Sequence, residues 1–461
     1  MKYQFPKNFK WGSAVWAQGT EGAWEIDGKA PTVFDEYYRL EPTRFFDGIG
    51  PYETLNWYED YDKYATLAQE ISHNSFRTSI LWARLVPDGK TINEEAVIFY
   101  RNLFRSFKEK GMELSIVLYW FDMPLLFEEQ GGFTNRQIFE PFVYYCQKCF
   151  ELFDDLVDIF YIYNEPIVDV MFKYDMNMCY PNLLDFNLAN RAVYNMILAH
   201  AMVVKCFKAG NYSAKIGTVL NHQHVYSRSQ HAADLKAAKQ YELLHQTCYE
   251  DGLLKGEINQ EWTGLLRANN VDLIIEEDDL KMIRENTINV LGLNIYSPTR
   301  IKAKAYALNP EAPLHFDSFY DYYEMHGRMM NSDRGWEIYP KAIYDACMSI
   351  KEKYHNPEML ITENGMGIQD EYRYRNHEGQ IQDDYRIDYV KAHLKWLHKA
   401  ISEGANVRGY NMWSFIDLWS PSNQFKNCYG FYEYNLETKE SRRKKSADWF
   451  KKITEDNGFD Q

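Results

Sequence analysis

Two glutamates in this 461-residue chain each follow a short run of strand-forming residues. Glu165, in "IYNEP", follows the apolar run 157–163 after one asparagine. Glu363, in "LITENG", follows the run 358–362 directly. Two carboxyl groups at one site can hydrolyse a glycosidic bond, because one protonates the leaving oxygen while the other attacks or stabilises the sugar carbon. Carboxyl groups about 5–5.5 Å apart permit direct attack with retention of configuration. A single acid after a strand more often forms a structural salt bridge, but two in matched settings favour catalysis.

Eight short apolar runs, separated by longer helical patterns, are expected to position these acids. Segments 92–110 and 385–404 are amphipathic; Gly111 follows the first, and the second ends at Gly404. Strands that alternate with helices predict parallel βαβ units. Eight of them in an α/β chain predict a single (β/α)8 TIM barrel with long βα loops, spanning 1–461 as one domain. The predicted strands are 9–14, 74–80, 113–119, 157–163, 214–220, 288–294, 358–362 and 406–413.

A barrel would bring the two glutamates together. Active sites of TIM barrels lie at the carboxyl ends of the strands, and the two acids follow the fourth and seventh predicted strands. They would therefore face each other across the mouth of the barrel. An open doubly wound sheet is the alternative fold, but the glycine-rich G-x-G-x-x-G loop that usually accompanies it does not occur in the sequence.

The composition excludes several classes of partner. A net charge of −15 repels nucleic acid and anionic membranes, so we expect neither as a partner. Aromatic residues reach 16%, which suits pockets that stack sugars or flat ligands, although core packing accounts for most of them. The first residues lack the apolar core of a signal peptide, and seven scattered cysteines give no disulfide framework. These features favour the cytoplasm and leave the oligomeric state open, with a homodimer as one option.

Two short motifs resemble metal sites, but neither has enough further ligand residues at a suitable spacing. Cys146 and Cys149 in "CQKC" lie within a helical pattern, and no second pair of ligands stands at zinc-finger spacing. The histidines of "HQH" at 222–224 likewise have no second cluster. We therefore interpret the cysteines as helix-packing residues and the histidines as loop residues, and we expect no metal and no cofactor.

The two glutamate motifs carry a resemblance to a known family. Together with "FPKNFKWGSA" near the start and "YGFYEYN" near the end, they resemble glycoside hydrolase family one, the family of β-glucosidases and 6-phospho-β-glycosidases. The resemblance covers nearly the whole chain. It implies that Glu165 in "YNEP" is the acid/base and that Glu363 in "ITENG" is the nucleophile of retaining hydrolysis through a covalent glycosyl-enzyme intermediate.

The same resemblance implies further substrate-binding positions. An arginine beside the nucleophile would keep it ionised, an asparagine would bind the sugar 2-hydroxyl, and a tyrosine would hydrogen-bond the nucleophile. Two tryptophans would lie at the sugar, although for either one alone core packing is the better interpretation. In this chain these positions are Arg77, Asn164, Tyr296, Trp336 and Trp413.

Two positions depart from the family pattern. Trp120 in "LYWFDMP" stands where the family has a histidine that contacts the sugar 3-hydroxyl. Gly19 stands where the family has a sugar-binding glutamine, and Gln18 lies one residue earlier in "WAQGTEG". We expect Trp120 to border the sugar, and Gln18 to reach it if the backbone shifts locally.

The segment 413–431 bears on which sugar is bound. Family members that act on unphosphorylated sugars have a glutamate at the position of Ser420, and the phospho-specific members resemble a pattern of serine, lysine and tyrosine. Here that pattern predicts phosphate binding by Ser420, Lys426 and Tyr429, although the family lysine usually stands at the position of Asn427. A solvated loop lysine is the simpler interpretation of Lys426. Pro421 replaces a tryptophan typical of 6-phospho-β-galactosidases, which favours glucosides.

The sequence thus predicts retaining hydrolysis of small phosphorylated β-glycosides, with 6-phospho-β-glucosides favoured. A β-glucosidase acting on unphosphorylated sugars is one alternative. A non-catalytic sugar-phosphate binder or sensor is the other, because Trp120 and Gly19 remove two polar sugar contacts.

Overall fold

Eight parallel strands close into a barrel in the computed structural model, which describes residues 2–307, 309 and 311–460. Each strand pairs with its neighbours in the chain, and the last pairs with the first. The predicted TIM barrel is therefore confirmed. The strands are β1 (Lys10–Ala14), β2 (Ser75–Ser79), β3 (Glu113–Tyr119), β4 (Ile159–Asn164), β5 (Lys215–Asn221), β6 (Val290–Asn294), β7 (Glu358–Asn364) and β8 (Val407–Trp413).

Most residues of the barrel strands are buried because both faces of each strand are covered. In β4 all six residues are buried, and in β3 only the first residue is partly exposed. Helices pack on the outer face, and side chains fill the inner one. This double burial explains why strands such as β3 and β4 appear in the sequence as largely apolar runs without alternation.

The helix predicted over 92–110 illustrates how local sequence sets the helical layer. It spans Glu94–Glu109, and the side chain of Asn93 caps its first turn by accepting from the Ala96 amide at 3.5 Å. Acidic residues stand at its start and Lys108 in its last turn, which suits the helix dipole. The helix predicted over 385–404 spans Asp384–Ser402.

The other α-helices and the short outer strands complete the chain. The helices are Ala17–Thr20, Val33–Leu40, Trp57–Glu70, Trp82–Leu85, Leu125–Glu128, Phe139–Phe153, Pro166–Tyr174, Phe186–Ala209, Ala232–Glu242, Cys248–Glu250, Gln260–Arg267, Glu277–Glu285, Lys341–Lys353 and Lys445–Asp456. The paired outer strands are Lys2–Gln4 with Gly458–Asp460, Val225–Ser227 with Thr299–Lys302 and Asp321–Tyr322, Met330–Asn331 with Trp336–Glu337, and Tyr432–Tyr434 with Ser441–Arg443.

The cysteine pair and the helix lengths bear on two expectations from the sequence. Cys146 and Cys149 are buried free thiols in Phe139–Phe153, which agrees with a packing role. Within the described ranges, we find no helix that combines the length and the apolar character needed to cross a bilayer.

Candidate active site

The two glutamates lie in one cavity at the carboxyl ends of the barrel strands. The cavity has a volume of about 480 Å³, and both Glu165 and Glu363 line it. Both side chains are largely buried, with 8% and 4% of their surface exposed. Of the residues predicted from the sequence, Trp120, Tyr296, Trp336, Trp413, Ser420 and Tyr429 also line this cavity.

Glu165 occupies an unusual backbone conformation between β4 and the helix Pro166–Tyr174. Its φ and ψ angles are 46° and 58°, in the left-handed region that costs a non-glycine residue roughly 1–2 kcal/mol. The Glu165 amide donates to the Val219 carbonyl at 2.9 Å, and Pro166 then opens the helix. The strand can end in a carboxylate because the chain turns sharply there, and such strain is typical of functional sites.

Glu363 stands near the end of β7 between a cation and a phenol. Nη1 of Arg77 donates to its Oε1 at 2.7 Å, and the Tyr296 hydroxyl donates to its Oε2 at 2.6 Å. Burial raises the pKa of Glu363, while the Arg77 charge and these two hydrogen bonds oppose that increase. The arrangement favours an ionised carboxylate with both oxygens held in place.

Glu165 has neutral partners instead. Asn221 and Asn294, at the ends of β5 and β6, donate from their side-chain amides to its Oε1 at 2.8 and 3.0 Å. Burial, followed by the charge of Glu363, raises the pKa of Glu165 to about 7. The two carboxyl groups therefore differ in environment in the way that an acid and a nucleophile require.

Asn164 and Arg77 form a layer beneath the cavity. Nη2 of Arg77 donates to Oδ1 of Asn164, and Asn294 donates to the same oxygen at 3.2 Å. These bonds fix the orientation of the Asn164 amide. Within the described chain its Nδ2 is buried without an acceptor, and neither Asn164 nor Arg77 lines the cavity itself.

Tyr296 is held by a glutamine that lies between the two histidines of "HQH". Oε1 of Gln223 accepts from the backbone amides of Tyr296 and Ser297 at 3.1 and 2.9 Å. The neighbouring His222 contacts Glu250 at 2.6 Å through Nδ1, so it serves a buried pair outside the cavity lining. The motif thus contributes to the site through its middle residue, which the sequence analysis did not consider.

Trp120 and Trp413 provide the aromatic part of the cavity. Their rings are 5.7 Å apart, and the Arg77 guanidinium lies 4.2 Å from the centre of the Trp120 ring. The Trp120 indole therefore covers the Arg77 guanidinium, which holds Glu363. Trp120 also borders the cavity, as its place after β3 predicts.

Gln18 is placed differently from the expectation. It lies in the helical turn Ala17–Thr20 outside the cavity lining, and its Nε2 donates to Oδ1 of Asp35 at 3.4 Å. A one-residue offset in a helix rotates a side chain by about 100°, so Gln18 does not substitute for a glutamine at position 19. Gly19 itself is tightly packed, because a Cβ there would lie 2.3 Å from the carbonyl oxygen of Trp419.

The predicted phosphate residues separate into two groups. Ser420 and Tyr429 line the cavity, whereas Lys426 lines an adjoining cavity of about 370 Å³, where its Nζ lies 5.8 Å from the ring centre of Phe46. The Ser420 hydroxyl donates to Oδ1 of Asn423 at 2.8 Å. Lys426, predicted to bind the phosphate directly, thus points to the adjoining cavity and not to the one that contains the two glutamates.

Arg334, which was not predicted from the sequence, is the one lysine or arginine among the described residues that lines the main cavity. Its guanidinium lies 4.1 Å from the centre of the Trp336 ring, and its Nε donates to the Tyr429 hydroxyl at 3.2 Å. The signal was its position two residues before Trp336 in "DRGWE". Asn221 and Asn294 were also missed, although polar residues at the ends of barrel strands are expected to point to the site.

A buried ion cluster anchors the loop after β8. Nζ of Lys444 donates to Oδ1 of Asp417 at 2.8 Å and also to Glu371, while Asp417 accepts from the Gly430 amide at 2.8 Å. Glu371, Asp417 and Cys428 are close enough to bind a metal ion. Because Lys444 and Arg386 already neutralise the two carboxylates, we interpret the cluster as structural.

Comparison with known proteins agrees with this geometry. A family profile described as "Glycosyl hydrolase family 1" matches residues 1–459. The 6-phospho-beta-glucosidase GmuD of Bacillus subtilis (strain 168) is 42% identical over 460 residues, covering 99% of each chain. Beta-glucosidase A of Acetivibrio thermocellus is 32% identical, covering 99% of this chain and 100% of the relative. A family 1 β-glucosidase structure from Thermotoga maritima aligns with a TM-score of 0.90 and 27% identity over 100% of both chains. The chain belongs to glycosyl hydrolase family 1.

Proposed function

We propose that the protein hydrolyses 6-phospho-β-glycosides, with 6-phospho-β-glucosides favoured, and retains the anomeric configuration. The observation that supports the hydrolysis is the pair of buried carboxyl groups in one cavity, one beside Arg77 and one among neutral amides. An ionised nucleophile and a protonated acid are the states that retaining hydrolysis requires.

The reaction proceeds in two steps. Glu363 attacks the anomeric carbon while Glu165 gives its proton to the glycosidic oxygen, and the bond to the leaving group breaks. The Glu165 carboxylate then takes a proton from water, which attacks the same carbon and releases Glu363. With a pKa of about 7, about half of the Glu165 groups carry a proton at neutral pH and can serve as the acid of the first step. The free Nδ2 of Asn164 would bind the sugar 2-hydroxyl.

Ser420 carries the assignment of the phosphate. It lines the cavity at the position where family members that act on unphosphorylated sugars have a glutamate, and Tyr429 lines the same cavity. A carboxylate there would repel a phosphoryl group, whereas hydroxyls donate hydrogen bonds to it. Lys426 adds positive charge from the adjoining cavity. The printed name of the Bacillus subtilis relative supports the same assignment.

Four aryl substrates test the proposal: the β-glucoside and the β-galactoside, each with and without a 6-phosphate. We expect kcat/KM to be highest for the phosphorylated glucoside. A wild-type preference for the unphosphorylated glucoside would instead establish the alternative of a plain β-glucosidase, which the Acetivibrio thermocellus relative favours. Absence of turnover on all four, with measurable binding of the phosphorylated sugar, would establish the sensor alternative.

We also propose that the protein acts in the cytoplasm as one (β/α)8 domain. A doubly charged sugar phosphate crosses a bilayer poorly, so its hydrolysis suits the compartment in which it is formed. The net charge of −15 makes nucleic acid and anionic membranes unfavourable partners. Fractionation of cells that express the protein would test the location.

A further inference from the structure

We propose that Arg334, on the hairpin after β6, is the cation that directly binds the 6-phosphoryl group of the substrate. This inference rests on the proposed function and deepens it. The sequence pattern assigns the main ionic contact with the phosphate to a lysine on the loop after β8. We assign that contact instead to the hairpin after β6. The supporting observations are the anchoring of the hairpin, the partners of the guanidinium and the position of Lys426.

The hairpin that carries Arg334 is fixed at several points. Its strands Met330–Asn331 and Trp336–Glu337 pair, and Gly335, with φ of 77°, closes the turn by donating to the Asn331 carbonyl at 2.7 Å. The Asn331 side chain donates to the Gly367 carbonyl at 2.9 Å. A preorganised loop of this kind loses little entropy when it binds a ligand.

The guanidinium of Arg334 has neutral partners. It stacks on Trp336, and its Nε and Nη2 donate to the hydroxyls of Tyr429 and Ser422 at 3.2 and 3.3 Å. The adjacent Asp333 accepts instead from Arg373 at 3.1 Å. Among the described residues no carboxylate forms an ion pair with Arg334. The cavity therefore contains a positive charge that the protein does not neutralise.

The two hydroxyl groups that accept hydrogen bonds from Arg334 can donate their own protons to a ligand. Because the Tyr429 hydroxyl accepts from Arg334, its own proton is free to be donated elsewhere, and the same holds for Ser422. Burial raises the pKa of Tyr429, so its hydroxyl keeps that proton. Both residues line the cavity with Arg334. A guanidinium with two hydroxyl donors beside it suits the several oxygens of a phosphoryl group.

Neither Lys426 nor the residue at the usual family lysine position can make a direct ionic contact with the phosphoryl group in the observed geometry. Lys426 faces the adjoining cavity and Phe46, and Asn427, at the usual family lysine position, donates to the Asp333 carbonyl at 3.3 Å. Arg334 is shared by the linings of both cavities. Lys426 would therefore act on the substrate at longer range, through water.

Matched charge-removing variants test the inference. We would measure kcat/KM for an aryl 6-phospho-β-glucoside and for its unphosphorylated parent in the wild type, Arg334→Gln, Arg334→Lys and Lys426→Gln. Loss of a charge-assisted contact should lower kcat/KM by about 10- to 150-fold in Arg334→Gln, on the phosphorylated substrate alone. Arg334→Lys should recover part of this loss, and Lys426→Gln should lose less than about threefold, as expected of a screened charge.

The outcomes separate this inference from the proposed function. A wild type that prefers the unphosphorylated substrate would overturn both. A wild type that prefers the phosphorylated substrate, with the large loss in Lys426→Gln instead of Arg334→Gln, would overturn only the role of Arg334. Equal losses on both substrates in Arg334→Gln and Arg334→Lys would also overturn it, because they would indicate that Arg334 only supports Trp336. Inhibition by inorganic phosphate gives a second readout, and it should weaken in Arg334→Gln.

Discussion

Arg77 and Glu363 form a buried ion pair, with Nη1 of the arginine 2.7 Å from Oε1 of the glutamate. The pair has an effect beyond its own two residues. The charge that it maintains on Glu363 contributes to raising the pKa of Glu165 on the other side of the cavity. One electrostatic arrangement thus favours the charge states that the proposed nucleophile and the proposed acid require.

Neutralising each glutamate should have a different kinetic result. Glu363→Gln should lower turnover at least about 10³-fold on every substrate, because an amide cannot form the glycosyl-enzyme bond. Glu165→Gln should preserve the first step on an aryl substrate with an acidic phenol, because that leaving group needs little protonation. Stopped-flow release of the phenol should therefore show a burst in Glu165→Gln. Near-wild-type rates in Glu363→Gln would mean that the roles are wrongly assigned.

The pH dependence should report the raised pKa of Glu165. Below about pH 7 the group is protonated and can act as an acid, and above it the first step should slow. We expect a descending alkaline limb in kcat/KM with a pKa near 7 for poorly activated leaving groups. For an activated aryl substrate the limb should be weaker in the wild type, because that leaving group needs little protonation, and absent in Glu165→Gln. An identical limb in the variant would assign the titration to another group.

The leaving-group side of the cavity should prefer apolar aglycones. The helix Pro166–Tyr174 follows Glu165 directly, and the cavity lining there includes Val168, Met171 and Phe172. Aryl 6-phosphoglucosides should therefore have a lower KM than a phosphorylated disaccharide, whose hydroxyls would lack partners. Met171→Gln should reduce kcat/KM on the aryl substrate by about 3- to 10-fold, while Met171→Leu, which conserves volume, should change it little. Equal KM values for the two substrates would contradict this.

Gly19 should be irreplaceable for steric reasons. A Cβ there would lie 2.3 Å from the Trp419 carbonyl oxygen and 2.8 Å from Cδ1 of Leu418. Gly19→Ala should lower the free energy of unfolding by about 1–3 kcal/mol, as overpacking does. Gly264→Ala is the matched control, because that helical glycine faces open space and alanine should stabilise the helix by up to about 1 kcal/mol. Denaturant unfolding of both variants would show whether the contrast holds.

The buried cluster under the loop after β8 should contribute strongly to stability. Lys444→Met leaves Asp417 and Glu371 buried without this cation and should cost about 3–5 kcal/mol. The neighbouring Lys445 forms an exposed pair with Asp384, so Lys445→Met should cost at most about 1 kcal/mol. Unfolding free energies measured side by side would decide, and similar values for the two variants would show that the cluster does not anchor the loop.

The sequence by itself determined the barrel and predicted which two glutamates face each other in its mouth. Each of the eight strands lies within two residues of the run predicted for it, and most of these runs are apolar because both faces of the strands are covered. The glutamates at the carboxyl ends of the fourth and seventh strands were predictable for a related reason, since a carboxyl group that ends an apolar strand needs a specific purpose. The left-handed backbone conformation of Glu165, which turns the chain from β4 into the next helix, could not be derived from composition or periodicity.

Only the tertiary structure decided which polar side chains reach the cavity. Gln18 and Lys426 have suitable chemistry and motif positions, yet a helical turn and the path of a loop direct both away from it. Arg334 and Asn294 reach the site from segments far from either glutamate in the chain. A motif fixes which residue types are near each other along the chain. The direction of a side chain depends on long-range packing and on the hydrogen bonds of loops, neither of which has a period in the sequence.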